Sequence, residues 1–280
     1  MFKCWLYYFD REQIEDYPIV RNDKTVDQFV STLRVGVYST LRTVQKNKIF
    51  QFSFHLNRLV ESYSLSKNSF HFDINKIRTP LKKIINVFPA EEIRIRIHIP
   101  LSEPEKCYII LDELSTPGKF AYKNGVCVNT NNLIRNNPKA KITSFIQKSE
   151  EIKKFCKENN LEESLILSPE RNLLEGLSSN FFAVQNKQIF TADSEVLSGA
   201  TRDIILDEAR KAKIEINYSP IPYDQIEKIE EAFISSTSRG LLPVIKIDDK
   251  QVGDGRPGKI TNYLLSRLNE RMLIEAESII

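Results

Sequence analysis

The 280-residue sequence predicts a mixed α+β fold organised in two lobes. Short apolar or alternating runs, typical of strands, occur in both halves, and longer stretches with apolar residues at helical spacing separate them. Residues 115–141 differ from both kinds of segment, because Asn, Gly and Pro dominate there. We therefore expect a smaller α+β domain over residues 1–117 and a larger domain over residues 118–280.

The predicted strands share short apolar runs, and the predicted helices share an apolar stripe on one side. Strands are expected at Cys4–Phe9, Val35–Val44, Ile93–Ile99, Cys107–Leu111, Ser164–Leu167, Phe181–Val184 and Ala232–Ser235. Helices are expected at His55–Leu65, Ile74–Phe88, Ile142–Asn159, Thr201–Lys213 and Ile260–Ile274. The turn-rich connector carries one short apolar run, Val126–Val128, which predicts a further strand.

Composition and charge favour an ordinary soluble protein. The net charge of +3 comes from 40 basic and 37 acidic residues that are interspersed, so no basic stripe is available for nucleic acid. The amino terminus becomes charged too soon for a signal peptide, and no apolar run is long enough to cross a membrane. The four cysteines lie far apart without a CxxC pair, so we expect a reduced cytoplasmic protein with no metal site.

Two segments have the residue types that bind anions. At Val196–Arg202 a Gly-containing turn opens a predicted helix, whose free N–H groups and dipole suit a phosphate. The alternative there is an ordinary helix cap by Ser198 or Thr201. At Phe233–Gly240 a strand ends in four consecutive hydroxyl residues, which suit a phosphate or a carboxylate. The alternative there is an ordinary polar exit from a strand.

Two other segments place a charged residue beside an apolar run. Glu175 lies between an apolar run and a polar turn, so it is either a carboxylate buried near a cation or a surface turn residue. Arg58 lies beside the apolar stripe of the His55–Leu65 helix, where it either reaches a phosphate or pairs with Glu61 three positions later. Taken singly, none of these segments identifies a function.

In this order the segments resemble the class IV aminotransferases, a family of enzymes that use pyridoxal 5'-phosphate (PLP). The family includes branched-chain aminotransferases, D-amino-acid aminotransferases and aminodeoxychorismate lyases. The matching motifs are HLxRL at 55–59, a lysine near 140, LLEGxSSNxF at 173–182, LxGxTR at 197–202 and STSRGxxPV at 236–244. Residues 34–42 resemble the family's early strand, and residues 252–261 resemble its late glycine turn. The resemblance implies PLP fold type IV, with a β-barrel-like sheet in the larger carboxy-terminal lobe, and a homodimer.

The resemblance also implies that one lysine forms an imine with the cofactor aldehyde. We choose Lys141 because it opens the Ile142–Asn159 period and lies 34 positions before Glu175, with Lys139 and then Lys148 as alternatives. Lys141 and Glu175 are then the catalytic residues: Lys141 transfers protons, and Glu175 faces the pyridine nitrogen and keeps it protonated.

The remaining site residues are assigned by motif position. The resemblance implies that the cofactor is also bound by Arg58, Gly199, Ala200, Thr201, Ser236, Thr237 and Ser238. The substrate is less constrained, because Ile146 replaces a tyrosine that is usual in branched-chain enzymes, and the usual acidic residue of the early strand is absent from residues 37–40. Tyr38, Arg96 and His98 are the substrate-binding candidates. The Arg-x-His pair resembles the pair that binds the substrate carboxylate in D-amino-acid enzymes, although its alternation also fits any half-buried strand.

These residues predict an aminotransferase that exchanges an amino group between an amino acid and a 2-oxo acid by a ping-pong mechanism. One alternative is an aminodeoxychorismate lyase, which eliminates pyruvate with the same lysine. A second is a catalytically silent descendant that acts as a binding protein. A nucleic-acid binder has only the isoelectric point of about 8.5 in its favour.

Overall fold

A computed structural model describes residues 2–19, 25–66 and 73–279. The strands are β1 (Phe2–Tyr8), β2 (Gln13–Tyr17), β3 (Gly36–Val44), β4 (Lys48–Ile49), β5 (Ile93–Pro100), β6 (Lys106–Glu113), β7 (Val126–Asn131), β8 (Glu163–Leu167), β9 (Leu173–Gly176), β10 (Asn180–Gln185), β11 (Gln188–Phe190), β12 (Ile216–Asn217), β13 (Glu231–Ser236), β14 (Gly240–Ile247), β15 (Lys250–Gln251) and β16 (Glu277–Ser278). The α-helices are α1 (Val26–Thr32), α2 (Phe52–Leu65), α3 (Arg78–Val87), α4 (Lys119–Asn124), α5 (Ser144–Glu158), α6 (Ala200–Lys211) and α7 (Lys259–Ile274). Two 3₁₀ helices span Ile74–Ile77 and Tyr223–Lys228. Across these described ranges, no helix has both the length and the apolar character needed to cross a membrane.

Every predicted strand and helix is present, with ends that differ by a few residues. The predicted helix Ile74–Phe88 begins instead as a 3₁₀ turn and becomes α-helical at Arg78. Pro80 fits this arrangement because it lies in the first α-helical turn, where its missing N–H leaves no hydrogen bond unmade. Helices α1 and α4 were not predicted, because seven and six residues are too few to show a helical period.

The chain packs into two compact units. The first comprises Met1–Ser115, Ala140–Lys148 and Met272–Ile280, and the second comprises Thr116–Lys139 and Ser149–Arg271. Residues 140–148 join the first unit because Ile142 pairs with Val37 of β3 and the Thr143 N–H bonds to the carbonyl of Gly36. The predicted domains 1–117 and 118–280 stay a prediction about the organisation of the chain.

The first unit is built on an antiparallel sheet with the strand order β16-β4-β3-β5-β6-β1-β2. Alternation along β5 gives the sheet two different faces. Ile93, Ile95, Ile97 and Ile99 are fully buried in a core that also contains apolar residues of α2 and α3. Residues 94, 96 and 98, which are Arg, Arg and His, alternate with them and project to the opposite face. This pattern places charged side chains on the face that α1 covers.

The second unit contains a closed sheet. Its strands follow the order β10-β13-β14-β7-β8-β9, and β9 pairs again with β10 to complete a six-stranded ring. The ring confirms the predicted barrel-like sheet. The pair that closes it is Glu175 of β9 opposite Asn180 of β10, so the predicted catalytic glutamate lies where the barrel closes.

A buried carboxylate joins α6 to α7 in the second unit. Glu208 of α6 is 1% exposed and accepts hydrogen bonds from Lys211, Arg267 and Arg271. Burial raises the pKa of the Glu208 carboxyl, but hydrogen bonds from these three cations outweigh burial and lower the pKa to about 2.

Glu208→Gln is therefore expected to lower the free energy of unfolding by about 2 kcal/mol at neutral pH. Because the folded pKa lies below the unfolded value, this stabilisation is present above the unfolded pKa and is lost as the pH falls through the folded pKa. Urea unfolding of the wild type and of Glu208→Gln, at neutral pH and at about pH 3, measures this stabilisation. The difference in free energy of unfolding between the two proteins should be smaller at about pH 3 than at neutral pH. An unchanged difference would contradict a stabilising role for the ionised Glu208 carboxylate.

Candidate active site

Glu175 is a buried carboxylate that forms an ion pair. Its side chain is 3% exposed, and its Oε1 lies 2.8 Å from Nη1 of Arg135, whose side chain is 9% exposed. Its Oε2 accepts a hydrogen bond of 3.1 Å from the backbone N–H of Leu197. The interpretation of Glu175 as a buried carboxylate near a cation is correct, and the surface-turn alternative is wrong. The contacts hold both carboxylate oxygens in place.

Three polar residues lie side by side across neighbouring strands of the barrel. Glu175 of β9 is opposite Asn180 of β10, which is opposite Ser235 of β13. Directly opposed residues project to the same face of a sheet. Asn180 Nδ2 donates a hydrogen bond of 2.7 Å to the carbonyl of Leu197. Glu175 and Asn180 therefore bind the N–H and the carbonyl of the same residue, Leu197. The segment that contains Leu197 leads directly into α6.

The start of α6 combines a glycine with a buried hydroxyl. Gly199 is its N-cap residue and has no side chain that could cap the helix. Thr201 is 3% exposed, and its Oγ1 has no hydrogen-bond partner among the described residues. A buried hydroxyl without a partner is costly, and the N–H groups at the start of a helix attract negative charge. Both features fit a phosphate group.

The hydroxyl residues 235–238 end β13, against which α6 packs. Ser236 is paired with Gly240 of β14, so residues 237–239 form a tight turn, and Gly240 has the positive φ of +67° that favours glycine. Ser235 Oγ is buried and, like Thr201 Oγ1, lacks a partner within the part of the chain that the structure describes. In the second unit the structure thus groups Glu175, the start of α6 and the end of β13.

Arg58 is buried in the first unit rather than exposed at its surface. Its Nη2 donates hydrogen bonds to Ser39 Oγ at 2.9 Å and to His55 Nδ1 at 3.1 Å. A guanidinium can only donate, so His55 Nδ1 must accept, and its proton is on Nε2. Burial, helped by the positive charges of Arg58 and Lys141, lowers the pKa of His55 well below its ordinary value, so the imidazole is neutral at pH 7.

Lys141 is held through its backbone in the first unit. Its N–H donates to Ser62 Oγ at 3.1 Å, and its carbonyl accepts from the N–H of Tyr38 at 2.9 Å. Its ammonium lies 4.8 Å from the centre of the Tyr38 ring. The alternatives differ: Lys139 Nζ donates to the carbonyl of Asp193 at 2.6 Å in the second unit, and Lys148 is exposed.

The substrate candidates lie together on one face of the first sheet. Tyr38 of β3 is opposite His98 of β5, and the Arg96 guanidinium lies 5.2 Å from the centre of the Tyr38 ring. Arg96 also forms an ion pair of 2.5 Å with Asp27 of α1. Burial lowers the pKa of His98 to about 4, so its imidazole is neutral at pH 7. The Arg96 guanidinium is already paired with a carboxylate of the protein, that of Asp27.

Sequence reasoning missed Asp27, Arg135, Asn180 and Ser235. Asn180 and Ser235 belong to motifs already selected, but their alignment with Glu175 depends on a strand register that no local pattern displays. Arg135 lies in the Asn-rich connector without a periodic signal, so nothing in the sequence marked it as a partner of a glutamate 40 positions later.

The family model described as Amino-transferase class IV matches residues 36–247, which is most of the chain. The protein therefore belongs to the class IV aminotransferase family, which is a family of enzymes. The branched-chain-amino-acid aminotransferase of Pseudomonas aeruginosa is 23% identical over 264 residues, which cover 86% of this chain and 86% of that protein. A D-alanine aminotransferase of Listeria monocytogenes serotype 1/2a is 24% identical over 274 residues, covering 90% of this chain and 92% of that protein.

A solved structure shows the same fold. The branched-chain amino acid aminotransferase of Escherichia coli superposes with a TM-score of 0.81 at 20% identity. The match covers 98% of this chain and 96% of that one. The predicted fold class and family resemblance are confirmed.

Proposed function

We propose that the protein is a PLP-dependent aminotransferase that exchanges an amino group between an amino acid and a 2-oxo acid. The observation that carries this proposal is the grouping, in the second unit, of the Arg135-paired Glu175 with the start of α6, where the buried Thr201 hydroxyl lacks a partner among the described residues. A fixed buried carboxylate suits a protonated ring nitrogen, and the N–H groups of a helix start suit a phosphate. PLP presents both groups.

The described residues fit the cofactor phosphate. Thr201 Oγ1 is buried and lacks an acceptor, which a phosphate oxygen provides. The turn hydroxyls of Ser236, Thr237 and Ser238 and the backbone N–H groups at Gly199 and Ala200 would add hydrogen bonds, and Arg58 would add positive charge.

Each catalytic residue has a distinct task. Bound PLP supplies an electron sink for the bond that breaks at the substrate Cα. Lys141 Nζ would hold the cofactor through its aldehyde and would move a proton at the substrate Cα. The Glu175 carboxylate would accept a hydrogen bond from the pyridine nitrogen and keep the proton there. Arg135 and the Leu197 N–H fix the direction of that carboxylate.

Tyr38, Arg96 and His98 are proposed to contact the substrate. Arg96 is the cation suited to a substrate carboxylate, and Asp27 would share or yield its contact when one binds. The relatives act on branched-chain amino acids and on D-alanine, so both stereochemical series need testing. A homodimer and a cytoplasmic location stay predictions from the resemblance and the composition.

Absorbance of the purified protein with PLP tests the proposal. A long-wavelength band that is bleached by one amino acid, and restored by a 2-oxo acid, is expected of an aminotransferase. Release of pyruvate from aminodeoxychorismate without an oxo-acid acceptor would instead favour the lyase. A protein that stays colourless with PLP would contradict both the aminotransferase and the lyase, and would favour a catalytically silent binding protein.

Gly199→Ala is expected to weaken PLP binding about tenfold. A Cβ at this position would stand 2.3 Å from Asn180 Oδ1, so Asn180 must move and loosen its bond to Leu197. Titration with PLP measures the effect. Gly118→Ala is a matched control, because nothing lies within 4 Å of its added Cβ. Equal affinities for the wild type and Gly199→Ala would count against a phosphate site at this helix start.

A further inference from the structure

Arg239 lies in the turn between β13 and β14, directly after two of the proposed phosphate-binding hydroxyls. A guanidinium has five N–H donors, and each donor of Arg239 has an acceptor within the protein. The acceptors, at distances between 2.7 and 3.3 Å, are Ser236 Oγ, the carbonyl and Oε1 of Glu162, Glu163 Oε2 and Ser178 Oγ. Arg239 therefore has no donor left for a ligand, although it is a basic residue in a candidate phosphate turn.

Glu163, which accepts the shortest of these hydrogen bonds, also binds the turn after Glu175. Its side chain is 4% exposed at the start of β8, and it accepts hydrogen bonds from Ser178 N–H and Oγ and from Ser179 Oγ. Ser178 and Ser179 form the turn that follows Glu175. Burial raises the pKa of the Glu163 carboxyl, but Arg239 and the hydrogen bonds from Ser178 Oγ and the Ser164 N–H outweigh burial and lower the pKa, so the pair is ionic at pH 7.

The residues around the Glu163 carboxylate are closely packed. A Cβ on Gly176 would lie 2.3 Å from Ser179 Oγ and 2.7 Å from Glu163 Cγ. At its other end Arg239 is tied to its own turn, because its backbone N–H also donates to Ser236 Oγ at 3.3 Å. One guanidinium thus connects the hydroxyl turn to β8 and to the turn after Glu175.

We propose that Arg239 is a positioning residue that holds the hydroxyls of Thr237 and Ser238 in the arrangement that binds the cofactor phosphate, by tying their turn to Glu163. The inference rests on the proposed PLP-dependent function. Loss of the guanidinium removes no direct phosphate contact; it releases the turn that makes those contacts. Only the part of the affinity that depends on the phosphate should therefore fall.

Arg239→Lys tests this, since a lysine keeps the charge but cannot supply five donors in a planar fork. The purified variant is titrated with PLP and with pyridoxal, which lacks the phosphate. The expected result is a loss of about tenfold in PLP affinity, with pyridoxal affinity changed by less than about twofold. Equal losses for both ligands, or no loss for either, would overturn the inference.

Arg267→Lys is the matched control, because it also removes a guanidinium from a buried carboxylate, that of Glu208, without touching the hydroxyl turn. Its ratio of PLP to pyridoxal affinity should equal that of the wild type.

Ser178→Ala removes a single contact of Arg239 and replaces Arg239→Lys as the test if that variant does not fold. It should lower the ratio of PLP to pyridoxal affinity by about twofold. A wild type that binds neither ligand overturns the proposed function itself, whereas normal binding with unchanged ratios in the variants overturns this inference alone.

Discussion

Lys141→Ala is expected to lower amino-group transfer by about a thousandfold or more, because the variant lacks the amine that holds the cofactor and moves the proton. The fold should persist, since Lys141 contacts Ser62 and Tyr38 through backbone atoms that alanine keeps. The measurement is the rate of oxo-acid formation from the best amino donor.

Two further lysine variants make this result specific. Lys148→Ala changes an exposed side chain and should keep a rate within about twofold of the wild type. Lys139→Ala should also stay active, because the Lys139 ammonium is engaged by the carbonyl of Asp193. Loss of activity in Lys139→Ala together with retention in Lys141→Ala would transfer the assignment to Lys139.

Glu175→Gln is expected to lower turnover about a hundredfold, the second largest effect. Glutamine has nearly the same shape and still accepts a hydrogen bond from the Leu197 N–H, but it carries no charge to keep a proton on the pyridine nitrogen. The change also removes a carboxylate that faces the buried Arg135, so the free energy of unfolding should fall by about 3 kcal/mol.

Glu208→Gln is the control for the stability effect. Glu208 is an equally buried carboxylate paired with arginines, but it joins α6 to α7 and lies outside the proposed catalytic residues. At a temperature where all proteins are folded, Glu208→Gln should turn over like the wild type and Glu175→Gln should not. Equal turnover in the two variants would contradict the role assigned to Glu175.

Local periodicity predicted the fold well because most strands bury one continuous apolar face. The alternation from Ile93 to Ile99 is visible in the sequence, and the structure places these four isoleucines in the core. Helices α1 and α4 were missed because they are short, and the 3₁₀ turn before α3 was missed because a helical period looks similar in both helix types. Closure of the barrel depends on pairing between distant strands, which entered only through the family resemblance.

The candidate site was predictable as a set of segments but not as a set of contacts. The sequence marked Glu175, Thr201 and residues 236–238, and the structure groups them in one unit. It did not mark Arg135, which forms the ion pair with Glu175, nor Asp27, which forms the ion pair with Arg96. These partners lie 40 and 69 positions away along the chain, so only tertiary structure brings them into contact.

The most direct test of the central claim is to trap the cofactor on the lysine that holds it. The wild-type protein is incubated with PLP, reduced with borohydride and digested, and the modified peptide is identified by mass spectrometry. The account predicts a single modified lysine, Lys141, and no modification of that peptide in Lys141→Ala. Modification of Lys139 or Lys148 in its place, or no modified peptide in the wild type, would contradict it.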